Sequence, residues 1–206
     1  MAASTGWCSP VNEPTVCLVT RGDQPEMVAR IRESLIFPEV IVWDNSVDPD
    51  WKCAGRYMAA ALSRTALVYF QDDDVIVPAE TQQALLDRFV HADTDIVANW
   101  GHGDNPDGYD DLPLVCGGAV ADKWAVWDAI RAYREHWPLD TEFMYEADFA
   151  VGVLYRSFEH LHLPFHIEMP VAQHSSRLVN QPWQKATKLL ITERARSIRD
   201  CGLVAA

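Results

Sequence analysis

The densest chemistry in the sequence is Asp72-Asp73-Asp74, three carboxylates in a row directly after Val68-Tyr69-Phe70-Gln71. Adjacent carboxylates repel one another, and a cation relieves that repulsion. Their hard oxygen donors suit Mg²⁺ or Mn²⁺, ions that in turn bridge phosphates. The same triplet would also serve as a solvated acidic turn ahead of the next helix. Taken alone, the three residues leave both readings open.

The elements around the triplet favour the first reading. Residues 15–20 form a short apolar run rich in β-branched side chains, the pattern of a buried strand. Asp23 and Glu26 have the spacing of a capping box, and Pro25 suits the first turn of the helix that follows. Met27, Ile31 and Leu35 would line one face of that helix. A second strand is predicted over 39–43, ended by the turn formers Asp44-Asn45-Ser46, then a small-residue helix over 52–63 and a third strand over 66–70. Pro78 opens a helix carrying Leu85, Leu86 and Phe89, and 95–98 reads as a fourth strand. Alternating strands and helices imply an α/β fold with a mostly parallel open sheet. The triplet then lies at the carboxyl edge of a strand, where such sheets bind ligands.

Beyond residue 99 the pattern changes. Residues 102–113 are rich in Gly, Asp, Asn and Pro and read as a loop. After them we expect a strand over 114–120, a helix with Trp124, Trp127, Ile130 and Trp137, a helix over 147–158, and a strand over 165–171. Trp124 and Trp127, at helical spacing, read as core, although Trp100, Trp124, Trp127 and Trp183 are also candidates to stack on sugar faces. Residues 184–200 read as a helix that is locally basic, with Lys185, Lys188, Arg194, Arg196 and Arg199.

Composition narrows the class. The 206 residues are 49% hydrophobic and 23% charged, the balance of a single globular domain. With 17 basic against 30 acidic residues, the net charge of −13 argues against a general nucleic-acid coat. The five cysteines (Cys8, Cys17, Cys53, Cys116 and Cys201) show no Cys-x-x-Cys spacing, which opposes a zinc knuckle and a disulfide framework. There is no apolar run suited to a signal peptide or a membrane span, so a cytoplasmic protein with reduced thiols is expected.

The order of these features resembles the GT-A glycosyltransferases, and most closely family 2, whose members use nucleotide-diphospho-sugars and invert the anomeric centre. The resemblance rests on the strand ending in Asp44-Asn45-Ser46, the helix with Gly55-Arg56, the strand leading to Asp72-Asp73-Asp74, the later Tyr145-Glu146-Ala147-Asp148, and Ala172-Gln173-His174. It spans residues 15–175 and implies a GT-A-like, Rossmann-like single domain. By this resemblance Asp72 and Asp74 match the family's Asp-x-Asp motif for Mn²⁺ or Mg²⁺, His174 completes the metal shell, and Asp148 is the general base with Glu146 orienting hydroxyls. Thr20, Arg21, Asp44, Arg56, Asp72, Asp73 and Arg177 would contact the nucleotide-sugar, a UDP-sugar in the first instance. Arg177 and Lys185 would belong to a lid over the diphosphate, unless the C-terminal helix is simply solvated. The chain departs from the family where Trp43-Asp44 stands for two acidic residues, and where Ala147 separates the Glu-Asp pair.

On this basis residues 1–14 are a lead-in, 15–99 the donor half, 100–183 the acceptor and catalytic half, and 184–206 a basic C-terminal helix. The acceptor stays open between a glycan, a protein and a modified nucleobase. A GT-A-like module that binds nucleotide-sugar or carbohydrate without turnover is the alternative. An Asp-dependent phosphohydrolase is opposed by Ile76, at a position where that family carries Thr or Val, and by a motif far from the amino terminus.

Overall fold

Period-two alternation in the strands sorts the core onto two faces of one sheet. Val16, Leu18, Tyr69, Val97 and Val120 join one apolar cluster, whereas their neighbours Cys17, Val68, Phe70, Ile96, Ala98, Ala119 and Ala121 join the other. The structure, a computed structural model, describes residues 13–99, 112–167 and 181–202. The sheet contains β1 (Thr15–Thr20), β2 (Val40–Asp44), β3 (Leu67–Phe70), β5 (Ile96–Asn99), β6 (Ala119–Asp122) and β7 (Phe158–Leu161), in the order β2-β1-β3-β6-β5-β7. Neighbouring strands are parallel except around β6, which runs antiparallel to both β3 and β5. A separate two-stranded ribbon pairs β4 (Val75–Ile76) with β8 (His166–Ile167).

Helices cover both faces, giving a three-layer α/β single domain. Met27 and Ile31 of α1 (Pro25–Ser34) and Leu85 and Leu86 of α3 (Ala79–His91) pack on one side. Helices α2 (Gly55–Leu62), α4 (Lys123–His136), α5 (Thr141–Leu154) and α6 (Gln184–Asp200) contribute to the larger cluster on the other. Ile191, Ala195 and Ile198 anchor α6 there, and each buried isoleucine contributes about 1.5–3 kcal/mol. Among the described residues no helix is long and apolar enough to cross a membrane.

Several expectations are corrected. Asp23 does not cap α1: the N-cap is Gln24 without a side-chain bond, and Asp23 pairs with Arg21 instead. The strand expected over 114–120 is confined to Ala119–Asp122. Gly118 takes φ +100 against the Tyr69 hydroxyl, so the segment before it turns rather than extends. Helix α5 starts earlier than expected because Asp140 is its N-cap, accepting from the Phe143 amide at 2.9 Å. It also ends earlier, and Phe158 opens β7, a strand the sequence reading missed. Trp124 is 64% exposed and not core, whereas Trp127 packs against the core. Most of the 102–113 loop, Trp100, and the 165–171 strand beyond Ile167 lie outside the described residues.

Candidate active site

The carboxyl ends of β1 and β3 open into a cleft of about 920 Å³, closed on its far side by α5 and α6. Gly55 brings α2 hard against the sheet: a Cβ there would lie 2.6 Å from Trp43 Cδ1 and 2.7 Å from Val19 Cγ2. That close approach carries the next residue, Arg56, into the cleft floor, where it is 3% exposed.

Arg56 is the hub of the floor. Its Nη2 donates to Asp72 Oδ1 at 2.7 Å and lies 3.6 Å from Asp148 Oδ2. Tyr57 donates its hydroxyl to Asp148 Oδ1 at 2.7 Å. Burial works against charge on Arg56, but Asp148 and Asp72 outweigh it and raise its pKa, so the guanidinium stays charged. Burial raises the pKa of Asp148, with Asp72 acting in the same sense and Arg56 and the Tyr57 hydroxyl opposing. A carboxylate so placed is a stronger proton acceptor than one in water. The Arg56 Nη1 is buried with no partner among the described residues, leaving a donor for a ligand.

The far wall carries a kink. Glu146 has φ −122 and ψ 29, outside the helical range, within α5. Tyr145, Glu146, Asp148 and Phe149 all line the cleft, the positions i, i+1, i+3 and i+4 that share one face of a helix. Glu146 is 3% exposed, and burial pushes its pKa up to about 8, with Asp148 adding to the rise and Lys188 and Gln184 opposing it. At neutral pH this carboxyl is mostly protonated, while Asp148 keeps the guanidinium beside it.

The cleft thus gathers Thr20, Arg21, Arg56, Asp72, Asp73, Asp74, Glu146 and Asp148 from the residues singled out in the sequence. Asp44 is not on its lining. It accepts from the Ser46 amide at 2.9 Å and the Ser46 hydroxyl at 2.7 Å, closing the turn after β2. Asn45 takes its place at the rim and braces the next segment, donating to the Lys52 carbonyl and accepting from the Trp51 amide. Lys52, at φ 51, holds the left-handed conformation unusual for a side-chain-bearing residue, and its ammonium lies over the Tyr145 ring. His174 and Arg177 lie outside the described residues. Lys185 is exposed, and it is Lys188 that faces the cleft. Lys52, Lys188, Tyr145 and Gln184 were missed as site residues. Only Lys188 had a usable signal, since it continues the inward face of Ile191, Ala195 and Ile198 at helical spacing.

For a metal, Asp72 and Asp74 supply two oxygen-donor side chains of the right chemistry on one cleft wall. Among the described residues no group of three His, Cys, Asp or Glu side chains could hold a metal ion, so the fit is partial.

No family model matches this sequence, and no curated protein matches it. Solved structures do. Residues 1–349 of TarS from S. aureus superpose with a TM-score of 0.51 at 12% identity, over 92% of this chain and 72% of that one. A crystal structure of the same fragment in complex with UDP gives a TM-score of 0.54 at 12% identity, over 87% of this chain and 69% of that one. A longer TarS structure gives 0.53 at 12% identity, over 91% of this chain and 43% of its own. The fold is therefore that of the GT-A-like transferases.

Proposed function

We propose that this chain is a glycosyltransferase that moves a sugar from a nucleotide-diphospho-sugar to an acceptor hydroxyl, with inversion. The observation that carries the reading is convergence. The ends of β1 and β3 and the kinked helix α5, far apart in sequence, bring Arg21, Arg56, Asp72, Asp73, Asp74, Glu146 and Asp148 to one cleft. The UDP bound in the TarS fragment of like fold supports a uridine nucleotide as the first donor to test.

The donor enters along the carboxyl edge of the sheet, its nucleoside toward Thr20 and Arg21 and its diphosphate toward Arg56 and Asp72. Asp148 takes the proton from the acceptor hydroxyl as the oxygen bonds the anomeric carbon. On the opposite face the bond from that carbon to the β-phosphate oxygen breaks, and its electron pair leaves with the nucleoside diphosphate. Arg56 has one guanidinium edge on Asp72 and Asp148, and the buried Nη1 is free to meet the developing charge. Mn²⁺ or Mg²⁺ held by Asp72 and Asp74, with His174 as a third ligand, would supply Lewis-acid neutralisation of the diphosphate. Asp73 and Arg177 complete the proposed donor contacts. Asp44 serves by holding its turn.

The test is calorimetric titration of UDP, GDP, CDP and dTDP with and without Mn²⁺, repeated on Asp148→Asn. We expect one nucleotide to bind in a metal-dependent manner, and the variant to bind it within about twofold while transfer falls by about 10²–10⁴. Absence of binding to all four nucleotides sinks the reading. Undiminished transfer by the variant removes Asp148 as base.

A further inference from the structure

The floor of the cleft is charged, and the wall formed by α5 and α6 sets aromatic rings beside Glu146, Asp148 and Lys188. Tyr145 and Trp183 meet there with ring centroids 4.7 Å apart and planes at 58°, forming an aromatic corner with the Lys52 ammonium over the Tyr145 ring. Trp183 is 39% exposed at the N-terminus of α6. Next to this corner lies the Glu146 carboxyl, buried, with Oε1 meeting no hydrogen-bond partner among the described residues. A buried polar atom without a partner costs about 1–3 kcal/mol, so its persistence on a cleft wall points to a ligand that supplies the missing bond. The Gln184 amide lines the same wall and can both donate and accept.

We propose that this wall is the acceptor subsite and that the acceptor it takes is a carbohydrate: a pyranose whose C–H face lies in the Tyr145–Trp183 corner and whose rim hydroxyl bonds Glu146. This rests on the glycosyl-transfer reading and adds to it the chemical class of the acceptor. A pyranose presents an apolar face and a hydroxyl rim at an angle, the shape this corner and its neighbouring carboxyl offer together. The net charge of −13 also opposes a polyanionic acceptor. Asp148 sits two residues beyond Glu146 on the same kinked helix, so a ring held on the wall brings its hydroxyl to the base. The step balances as in any inverting transfer: the acceptor oxygen gives its proton to Asp148 and gains the anomeric carbon, and the phosphate oxygen departs with the electron pair.

The experiment is saturation-transfer difference NMR on the full chain. The probes are methyl β-glucopyranoside, methyl β-N-acetylglucosaminide and, as the competing class, 5-hydroxymethyl-2′-deoxyuridine. UDP titrations are run in parallel on every variant. We expect saturation of pyranoside ring protons, at least tenfold weaker binding in Trp183→Ala, and near-native binding in Trp183→Phe. Glu146→Gln keeps a donor and an acceptor and should bind within about threefold, whereas Glu146→Ala should lose about tenfold. UDP affinity should be unchanged in Trp183→Ala, whose exposed position leaves the fold intact. If UDP binds and neither pyranoside is saturated, or if the nucleoside is saturated in their place, the carbohydrate proposal is overturned and the donor reading stands. If none of UDP, GDP, CDP and dTDP binds as well, both fall together.

Discussion

Glu146 links the architecture of the cleft to a measurable pH dependence that needs no ligand. Its carboxyl is buried and titrates at about 8, against an ordinary value of 4.5 in the unfolded chain. A folded-state pKa above the unfolded one means that folding binds the proton more tightly. The contribution to stability is fully present below pH 4.5 and is lost as the pH rises toward 8. A displacement of about 3.5 pH units at about 1.4 kcal/mol each sets the full loss at about 5 kcal/mol. Roughly 1 kcal/mol of that is already gone at pH 5, so about 4 kcal/mol separates pH 5 from pH 9. Entry of water into the cleft on ionisation lowers the figure, to about 2–4 kcal/mol. Glu146→Gln removes the titration and keeps the shape. Urea unfolding of both proteins, followed by tryptophan fluorescence from pH 5 to pH 9, isolates this group, because every other titrating residue is common to the two. The variant should gain on the native protein by at least about 2 kcal/mol across that range. Parallel profiles would show that Glu146 is ionised in the folded state at neutral pH, and the burial-driven rise of its pKa argued above would be wrong.

Two further predictions concern the floor. Arg56→Met leaves the Asp148 carboxylate without its buried counter-charge and should cost about 3–5 kcal/mol at pH 8, read from the denaturant midpoint. The loss should shrink as acid protonates the carboxylates, and an unchanged midpoint at pH 8 would deny the ion pair. Gly55→Ala gains up to about 1 kcal/mol in helix propensity but loses about 1–3 kcal/mol in overlap with Trp43 and Val19. A net fall in Tm is expected, and a rise would mean that α2 does not press on the sheet.

The parts of this molecule that could be read in advance are those whose signals are local. β1 and β3 are short apolar runs, and the placing of Asp72, Asp73 and Asp74 past the end of β3 followed from that alone. The bounds of α6 were legible from its helical period. What escaped depends on distant partners or on single residues with two readings. The apolar character of residues 114–118 suggested strand, but Gly118 at positive φ bends the backbone, and only Ala119–Asp122 finds an antiparallel partner. Phe158–Leu161 is strand because β5 offers an edge more than fifty residues earlier in the chain, which no local pattern shows. Asp140 was a legible cap that went unused. Lys52 and Tyr145 enter the site only through tertiary contact, and Trp124 followed helical spacing yet lies on the solvent side of α4.

The antiparallel strand β6 has a consequence for how the chain acquires its shape. β3 and β5 are separated in the sheet by β6, which is encoded later than either. During synthesis both strands therefore carry an open hydrogen-bonding edge until residue 122 has left the ribosome. Two apolar strands with unpaired edges are a template for pairing with other nascent chains. The arrival of one four-residue strand closes both of these edges at once, and the outer edge of β5 stays open until β7 pairs with it.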